Sequence, residues 1–246
     1  MNKTIQMKHT IAQLTAIFLL TISVGHGQKN AEFFSKADTF FKTYVKQGKV
    51  AYSAIKQDSG SLDELIGMAE SISISKSDSK EYQAFWINGY NLSVIKGIVD
   101  NYPIKSPLDK AGFFDAIKHN IGGHGITLND IENKLLRANF PSEARFHFVL
   151  VCAGLGCPPI IDRAYLPSSL EAQLQKQTEL ALNNPEFVKL GKNKIGLSQI
   201  FEWYQGDFTQ DGKSLIDFVN RYRVEKLSAK AKTYFYSYDW TLNESK

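Results

Sequence analysis

Cys152 and Cys157 are the only cysteines in the 246 residues, and they bracket the turn Ala153-Gly154-Leu155-Gly156. A thiol at the end of a β-branched, aromatic run, and at the entrance to a glycine-containing turn, can be exposed and receive neighbouring N–H groups. Cys152 is therefore the candidate nucleophile. His147 precedes it in the run R-F-H-F-V-L-V-C, Arg145 to Cys152. As a regular strand this run would advance about 3.3 Å per residue, separating His147 from Cys152 by roughly 16 Å and setting them on opposite faces. A bulge would restore the face without removing the distance. His124, in Gly122-Gly123-His124-Gly125, is the alternative base, with Glu132 or Asn88 orienting the imidazole. The competing uses are structural: a core histidine at 147, a small apolar core residue at 152, or a Cys152–Cys157 disulfide that stiffens the turn and disables the nucleophile.

Asn88 and Asn91 share one face of an otherwise apolar helical stretch. Their amides either wall a pocket, with Asn91 contacting substrate, or satisfy the backbone of a neighbouring loop. Trp86, Trp203 and Glu132 complete the candidate substrate-binding set, with Tyr204 and Trp240 adding aromatic surface. Glu132 and Arg137, five apart on a predicted α-helix, do not face each other and are expected to find partners elsewhere. Asp207-Phe208 and Trp203-Tyr204 read as packing with a helix-end hydrogen bond, or as a groove wall. No His, Cys and Asp grouping has metal-ligand spacing, and the glycine loop lacks the Lys-Ser/Thr of a phosphate cradle, so no metal and no cofactor is expected.

These side chains must be positioned by a fold that the hydrophobic pattern outlines. Phe33, Phe34, Ala37, Phe40, Phe41, Tyr44 and Val45 recur at three- and four-residue spacing, the stripe of an amphipathic helix. A second helix is predicted over 62–70, with Ser61 as its cap and Glu64 completing a capping box. The most apolar helix spans 80–101, and a serine-rich loop, Ser71 to Ser79, precedes it. Residues 112–125 read as loop, with a short strand at 126–128 and a helix from there to about Ala138, capped by Thr127 or Asn129. The Arg145–Cys152 run reads as the central strand of a sheet. Beyond it lie a helix to Asn183 capped by Ser168 or Ser169, a strand at 194–197, a helix from Ser198 and another over 214–224. The aromatic tail, Thr233 to Leu242, is expected to pack back in extended form. The pattern is α+β: a single helix-dominated domain over 28–246 with a small β-sheet.

Ahead of that domain, Lys3 and Lys8 precede the apolar run Ile11 to Val24, which ends in Gly25-His26-Gly27. That order is a secretory signal peptide, 1–27, cleaved near Gly27, and it places the chain in the periplasm or outside the cell. The run is short for a membrane span and is broken by polar residues, so no stable anchor is expected after cleavage. Only His119, His124 and His147 then remain as possible bases. The net charge of the whole chain is +4, two units of which belong to the leader lysines. No basic stripe is present, and nucleic acid is not an expected partner.

Three stretches, A-F-W-I-N-G-Y-N at Ala84 to Asn91, I-E-N-K-L-L-R at Ile131 to Arg137 and H-F-V-L-V-C-A-G-L-G-C-P-P at His147 to Pro159, together resemble the family catalogued as domain of unknown function 547. Gly122-Gly123 and the closing Leu197 to Tyr204, followed by Asp207-Phe208, fit the same order, so the resemblance runs over about 48–222. It implies a fold and a set of positions and names no reaction. Papain-like and transglutaminase-like enzymes are a fold-level analogy. Two functions follow as expectations: a cysteine-dependent hydrolase or acyltransferase acting on a peptide or amide bond in the cell envelope, or a non-catalytic module binding a peptide, glycan or protein in a polar and aromatic groove.

Overall fold

A computed structural model of the chain describes residues 28–192 and 194–245. The leader read at residues 1–27 lies outside the described residues. Helix α1 (residues 28–44) buries the predicted stripe, with Phe33, Phe34, Ala37, Phe40 and Phe41 all in the core. Two short strands, β1 (Val45–Lys46) and β2 (Lys49–Val50), turn the chain back antiparallel. Helix α2 (Tyr52–Gln57) and helix α3 (Gly60–Ser71) follow. The predicted capping box at Ser61 does not form: α3 begins earlier, and the hydroxyl of Ser59, at its N-cap, binds Asp63 at 2.6 Å.

Helix α4 (Ser79–Asn101) is buried along nearly its whole length and forms the axis of the larger of two hydrophobic clusters. Asp78 caps it by accepting from the Glu81 N–H. Each large apolar side chain it buries contributes about 1.5–3 kcal/mol, and a helix apolar all round is held by surrounding elements, not by its own propensity.

The stretch read as loop over 112–125 instead holds most of a hairpin, β3 (Lys118–Ile121) with β4 (His124–Thr127). Gly122 and Gly123 make its two-residue turn with φ of 63° and 77°, the conformation that glycine adopts without steric cost and that matches the twist of paired strands. Thr127 then caps α5 (Leu128–Asp130), accepting from the Asp130 N–H at 3.1 Å. The chain continues as a π-helix over Ile131–Arg137. That wider winding replaces the α-helix predicted there.

The Arg145–Cys152 run is not a strand. Ala144–Phe148 forms a 3₁₀-helix, with the Glu143 side chain accepting from the Arg145 N–H, and the backbone beyond is irregular. The largest sheet lies later in the chain, in the order β5–β6–β7: β5 (Val188–Leu190) is antiparallel to β6 (Lys194–Ser198), and β7 (Lys232–Tyr236) is parallel to β6. Helix α6 (Leu170–Asn183) leads into it. The crossover from β6 to β7 carries α7 (Ile200–Trp203), α8 (Gln205–Phe208) and α9 (Leu215–Tyr222). Together these elements enclose a second cluster built on Phe148, Phe187, Phe201, Phe208 and Phe218. The architecture is a mixed α+β domain rich in helix with small, open sheets.

Beyond β7 the tail runs extended across the cysteine turn. Leu155 and Gly156 donate N–H bonds to the carbonyls of Thr241 and Asp239, both at 2.8 Å, and Asn243 donates to Ala153 at 2.9 Å. A Cβ on Gly156 would lie 2.8 Å from the Asp239 nitrogen and 3.0 Å from the Tyr238 ring. The glycine in this turn is therefore what lets the tail lie flat against it.

Candidate functional site

Where the two clusters meet, a pocket of about 300 Å³ opens. Cys152, Cys157 and Tyr238 line it, together with the polar side chains of His147, Glu132 and Asn129. Phe114, Trp203, Tyr204 and Trp240 add aromatic surface, with Trp203 and Trp240 packed on Tyr238 and Tyr204 on His147.

Placing Cys152 here depends on Asn91. From the buried face of α4 its amide donates to the Val149 carbonyl and accepts from the Val151 N–H, both at 3.0 Å. One side chain thus satisfies the two backbone groups that a neighbouring strand would otherwise have paired. The residue after the thiol, Ala153, is buried with φ of 64°, a left-handed conformation that costs an alanine about 1–2 kcal/mol. Tail contacts and Asn91 together hold that turn.

Cys152 and Cys157 are free thiols with their sulfurs 3.0 Å apart. The Cys152 N–H points at Cys157 Sγ at 3.0 Å, and the Tyr238 hydroxyl lies 2.8 Å from Cys152 Sγ. Burial pushes the Cys152 thiol up, but hydrogen bonds from Cys157, Tyr238 and the backbone outweigh it, and the net direction is down. Cys157 moves the other way: burial and the neighbouring Cys152 sulfur hold it well above the ordinary thiol value. Burial likewise raises the Tyr238 hydroxyl, which therefore stays protonated and able to donate.

His147 is buried and stacked on Tyr204, ring centroids 4.1 Å apart. Its Nε2 donates to Asp207 Oδ2 at 2.7 Å, while Nδ1 faces Glu132 at 3.8 Å. Arg137 grips the same Asp207 carboxylate with two N–H groups, at 2.7 and 2.9 Å. Burial pushes the Asp207 carboxyl up, yet the bonds from His147 and Arg137 outweigh it and hold it well below the usual range. That fixes the direction of the His147 bond, since an ionised carboxylate only accepts. The guanidinium of Arg137 also sits 4.8 Å from the Tyr204 ring centroid. Glu132 and Arg137, which α-helical spacing would separate, share this network because the segment winds as a π-helix.

Of the residues singled out from sequence, the pocket unites Cys152, Cys157, His147, Glu132, Trp203, Tyr204 and Trp240. The separation of roughly 16 Å derived for His147 and Cys152 from strand geometry does not apply, because the segment between them is not extended. They do not bond to each other: the sulfur's partners are Cys157 and Tyr238, and the imidazole's are carboxylates.

The remaining candidates lie elsewhere. Asn88 is fully buried and donates to the carbonyls of Ala84 and Tyr165 while accepting from the Tyr165 N–H. It pins a loop and does not face the pocket. Asn91 positions backbone and does not line the pocket either. His124 and Trp86 line a separate groove beside the β3–β4 hairpin. His119, on β3, is half-buried, and its desolvation lowers its pKa. Asp207 and Tyr238 were not singled out as reactive groups. Tyr238 is brought to Cys152 across 86 residues of sequence, and no local pattern announces it.

Among the described residues no group of three or more His, Cys, Asp and Glu side chains is arranged to hold a metal ion, and no helix is long and apolar enough to cross a membrane. Residues 74–180 match the family described as "Protein of unknown function, DUF547", which relates the chain to that family at the level of a superfamily. The match contains all three of the stretches quoted from sequence and stops short of the closing Leu197 to Tyr204 motif. No curated protein and no solved structure matches the chain.

Proposed function

We propose that the pocket between the two clusters is a binding site for a small ligand, or for one ring of a larger one, carrying a flat apolar face and a hydroxyl or ammonium group. The supporting observation is its lining: the aromatic rings of Phe114, Trp203, Tyr204 and Trp240 stand together with the polar side chains of Glu132, His147 and Asn129. Trp203, 47% exposed, stacks near Trp240 with ring centroids 6.1 Å apart and leaves ring surface open to a ligand. Concave apolar sites with few oriented polar groups are the usual form of ligand pockets. Glu132 accepts hydrogen bonds, which selects a donor on the ligand. The leader read from sequence is part of this proposal and places the ligand in the cell envelope or outside the cell.

Melting temperatures of the full chain should be measured with soluble mono- and oligosaccharides and, separately, with dipeptides containing an aromatic residue. A ligand present at a hundredfold excess over its dissociation constant adds about 2.7 kcal/mol, which for a chain of this size raises the midpoint by roughly 5–10 °C. The shift is expected from one of the two panels and is lost in Trp203→Ala. No shift from either panel contradicts the reading.

A second reading, cysteine-dependent acyl transfer on a peptide or amide bond, is favoured by one observation: Cys152 and His147 line the same pocket, and Asp207 orients the imidazole. It ranks below the first because His147 Nε2 is committed to Asp207 and Nδ1 faces Glu132, not the sulfur. Release of product from aromatic amides, abolished in both Cys152→Ala and His147→Ala, would favour it over simple binding.

A further inference from the structure

A second thiol lies beside Cys152, almost as close as the Tyr238 hydroxyl. The Cys152 sulfur and that of Cys157 lie 3.0 Å apart, and a covalent bridge needs about 2.0 Å, so roughly 1 Å of movement would join them. The backbone carrying them is held on every side. Asn91 fixes Val149 and Val151, and the tail clamps Ala153, Leu155 and Gly156. Both cysteines line the pocket and both are partly accessible. A bridge deep in a core would be inert, whereas one on a pocket wall can be reached by another sulfur.

We propose that Cys152 and Cys157 form a redox dithiol that exchanges with a disulfide entering the pocket, Cys152 attacking and Cys157 resolving. The Cys152 thiolate attacks one sulfur of a substrate R–S–S–R′. A Cys152–S bond forms, the substrate S–S bond breaks, and R′–S⁻ leaves and takes up the proton that Cys152 released. Cys157, deprotonated in turn, attacks Cys152 Sγ, and R–S⁻ departs with that second proton. Two electrons and two protons pass from the dithiol to the substrate, which becomes two thiols, and the protein is left with a Cys152–Cys157 bridge. A second thiol pair runs the same steps in reverse and returns the dithiol. The assignment of roles follows the environments. The Tyr238 hydroxyl and the Cys157 thiol both stabilise a Cys152 thiolate, while burial beside Cys152 disfavours a Cys157 thiolate until the mixed disulfide has formed. This inference goes beyond the ligand reading, since it requires only that a sulfur reach the pocket.

The test uses the full chain, reduced with dithiothreitol and equilibrated in oxidised and reduced glutathione at graded ratios. Samples are quenched with acid, alkylated and measured by mass spectrometry. The bridged fraction is expected to follow the ratio reversibly from either direction. Cys157→Ser is expected to accumulate glutathione on Cys152, and Cys152→Ser to carry at least about tenfold less on Cys157. A bridge that stays closed in the folded protein under excess dithiothreitol overturns the proposal, as does a pair that stays reduced at every ratio. The wild-type titration decides the matter even if a variant fails to fold.

Discussion

His147 Nε2 lies 2.7 Å from Asp207 Oδ2, on residues 60 apart in sequence, and Arg137 holds the same carboxylate through both of its oxygens. The contact fixes the ring against Tyr204, and the imidazole's polar partners are the carboxylates of Asp207 and Glu132, not the Cys152 sulfur. The pocket therefore combines two sets of groups, Glu132 and His147, the latter held from behind by Asp207 of α8, and the thiols of the cysteine turn with Tyr238 of the tail.

Asp207→Asn should destabilise the protein by about 1–3 kcal/mol, because it leaves the Arg137 guanidinium without its charge partner in a site only partly open to solvent. The same carboxyl gives a pH signature. Its folded-state pKa is depressed by His147 and Arg137, so its contribution is complete above the unfolded value of about 4 and is lost as pH falls from there toward the folded value. Urea unfolding at pH 7 and pH 3 should show the wild type losing more stability than Asp207→Asn across that interval. Equal losses would mean that the carboxylate is not paired as described.

Asn91→Ala and Asn88→Ala should each cost about 2–4 kcal/mol, since each strips partners from buried backbone groups. They differ in what else they disturb. Asn91→Ala releases the segment leading to Cys152 and should change the rate at which iodoacetamide modifies that thiol in the folded protein. Asn88→Ala, which pins Tyr165, should leave the rate unchanged. Mass spectrometry over a time course separates the two.

Gly156→Ala should cost about 1–3 kcal/mol, because the added methyl meets the Asp239 backbone and the Tyr238 ring. Gly67→Ala, inside α3 with open space around the new methyl, should instead stabilise by up to about 1 kcal/mol. Midpoints of denaturant unfolding with an unchanged slope would verify both signs.

Tyr238→Phe removes a hydroxyl that donates toward Cys152 Sγ. Losing it should lower the thiolate fraction while making the remaining thiolate a better nucleophile. The net expectation is alkylation of Cys152 about threefold slower at pH 7. A faster rate would show that the hydroxyl shields the sulfur and does not activate it.

Much of the scaffold was legible because its signals are local. The apolar run over 80–101, ending in Asn101 with Pro103 beyond it, marks α4, and the helix read over 214–224 is α9, which a Ser214–Asp217 capping box starts. The run R-F-H-F-V-L-V-C misled because β-branched and aromatic residues suit any buried backbone. Here Ala144–Phe148 winds as a 3₁₀-helix whose turn bonds continue to Val149 and Leu150, and Asn91, not a neighbouring strand, takes up the hydrogen bonds of Val149 and Val151. The strand assumption then forced His147 and Cys152 apart. The π-winding of Ile131–Arg137 hid the shared surroundings of Glu132 and Arg137 in a similar way, since the i,i+5 spacing was judged by an α-helical ruler. Asn88 and Asn91 were correctly seen to share a face, but that face looks at backbone and not at the pocket.

The ligand reading is tested most directly by a crystal structure of the chain soaked with small molecules that pair a flat ring with an ammonium or hydroxyl group, such as tyramine and methyl glucoside. One of them should be found stacked on Trp203 or Trp240, with its polar group about 3 Å from the Glu132 carboxylate or the Asn129 amide. A pocket left empty in crystals that bind these molecules elsewhere, or not at all, contradicts the account.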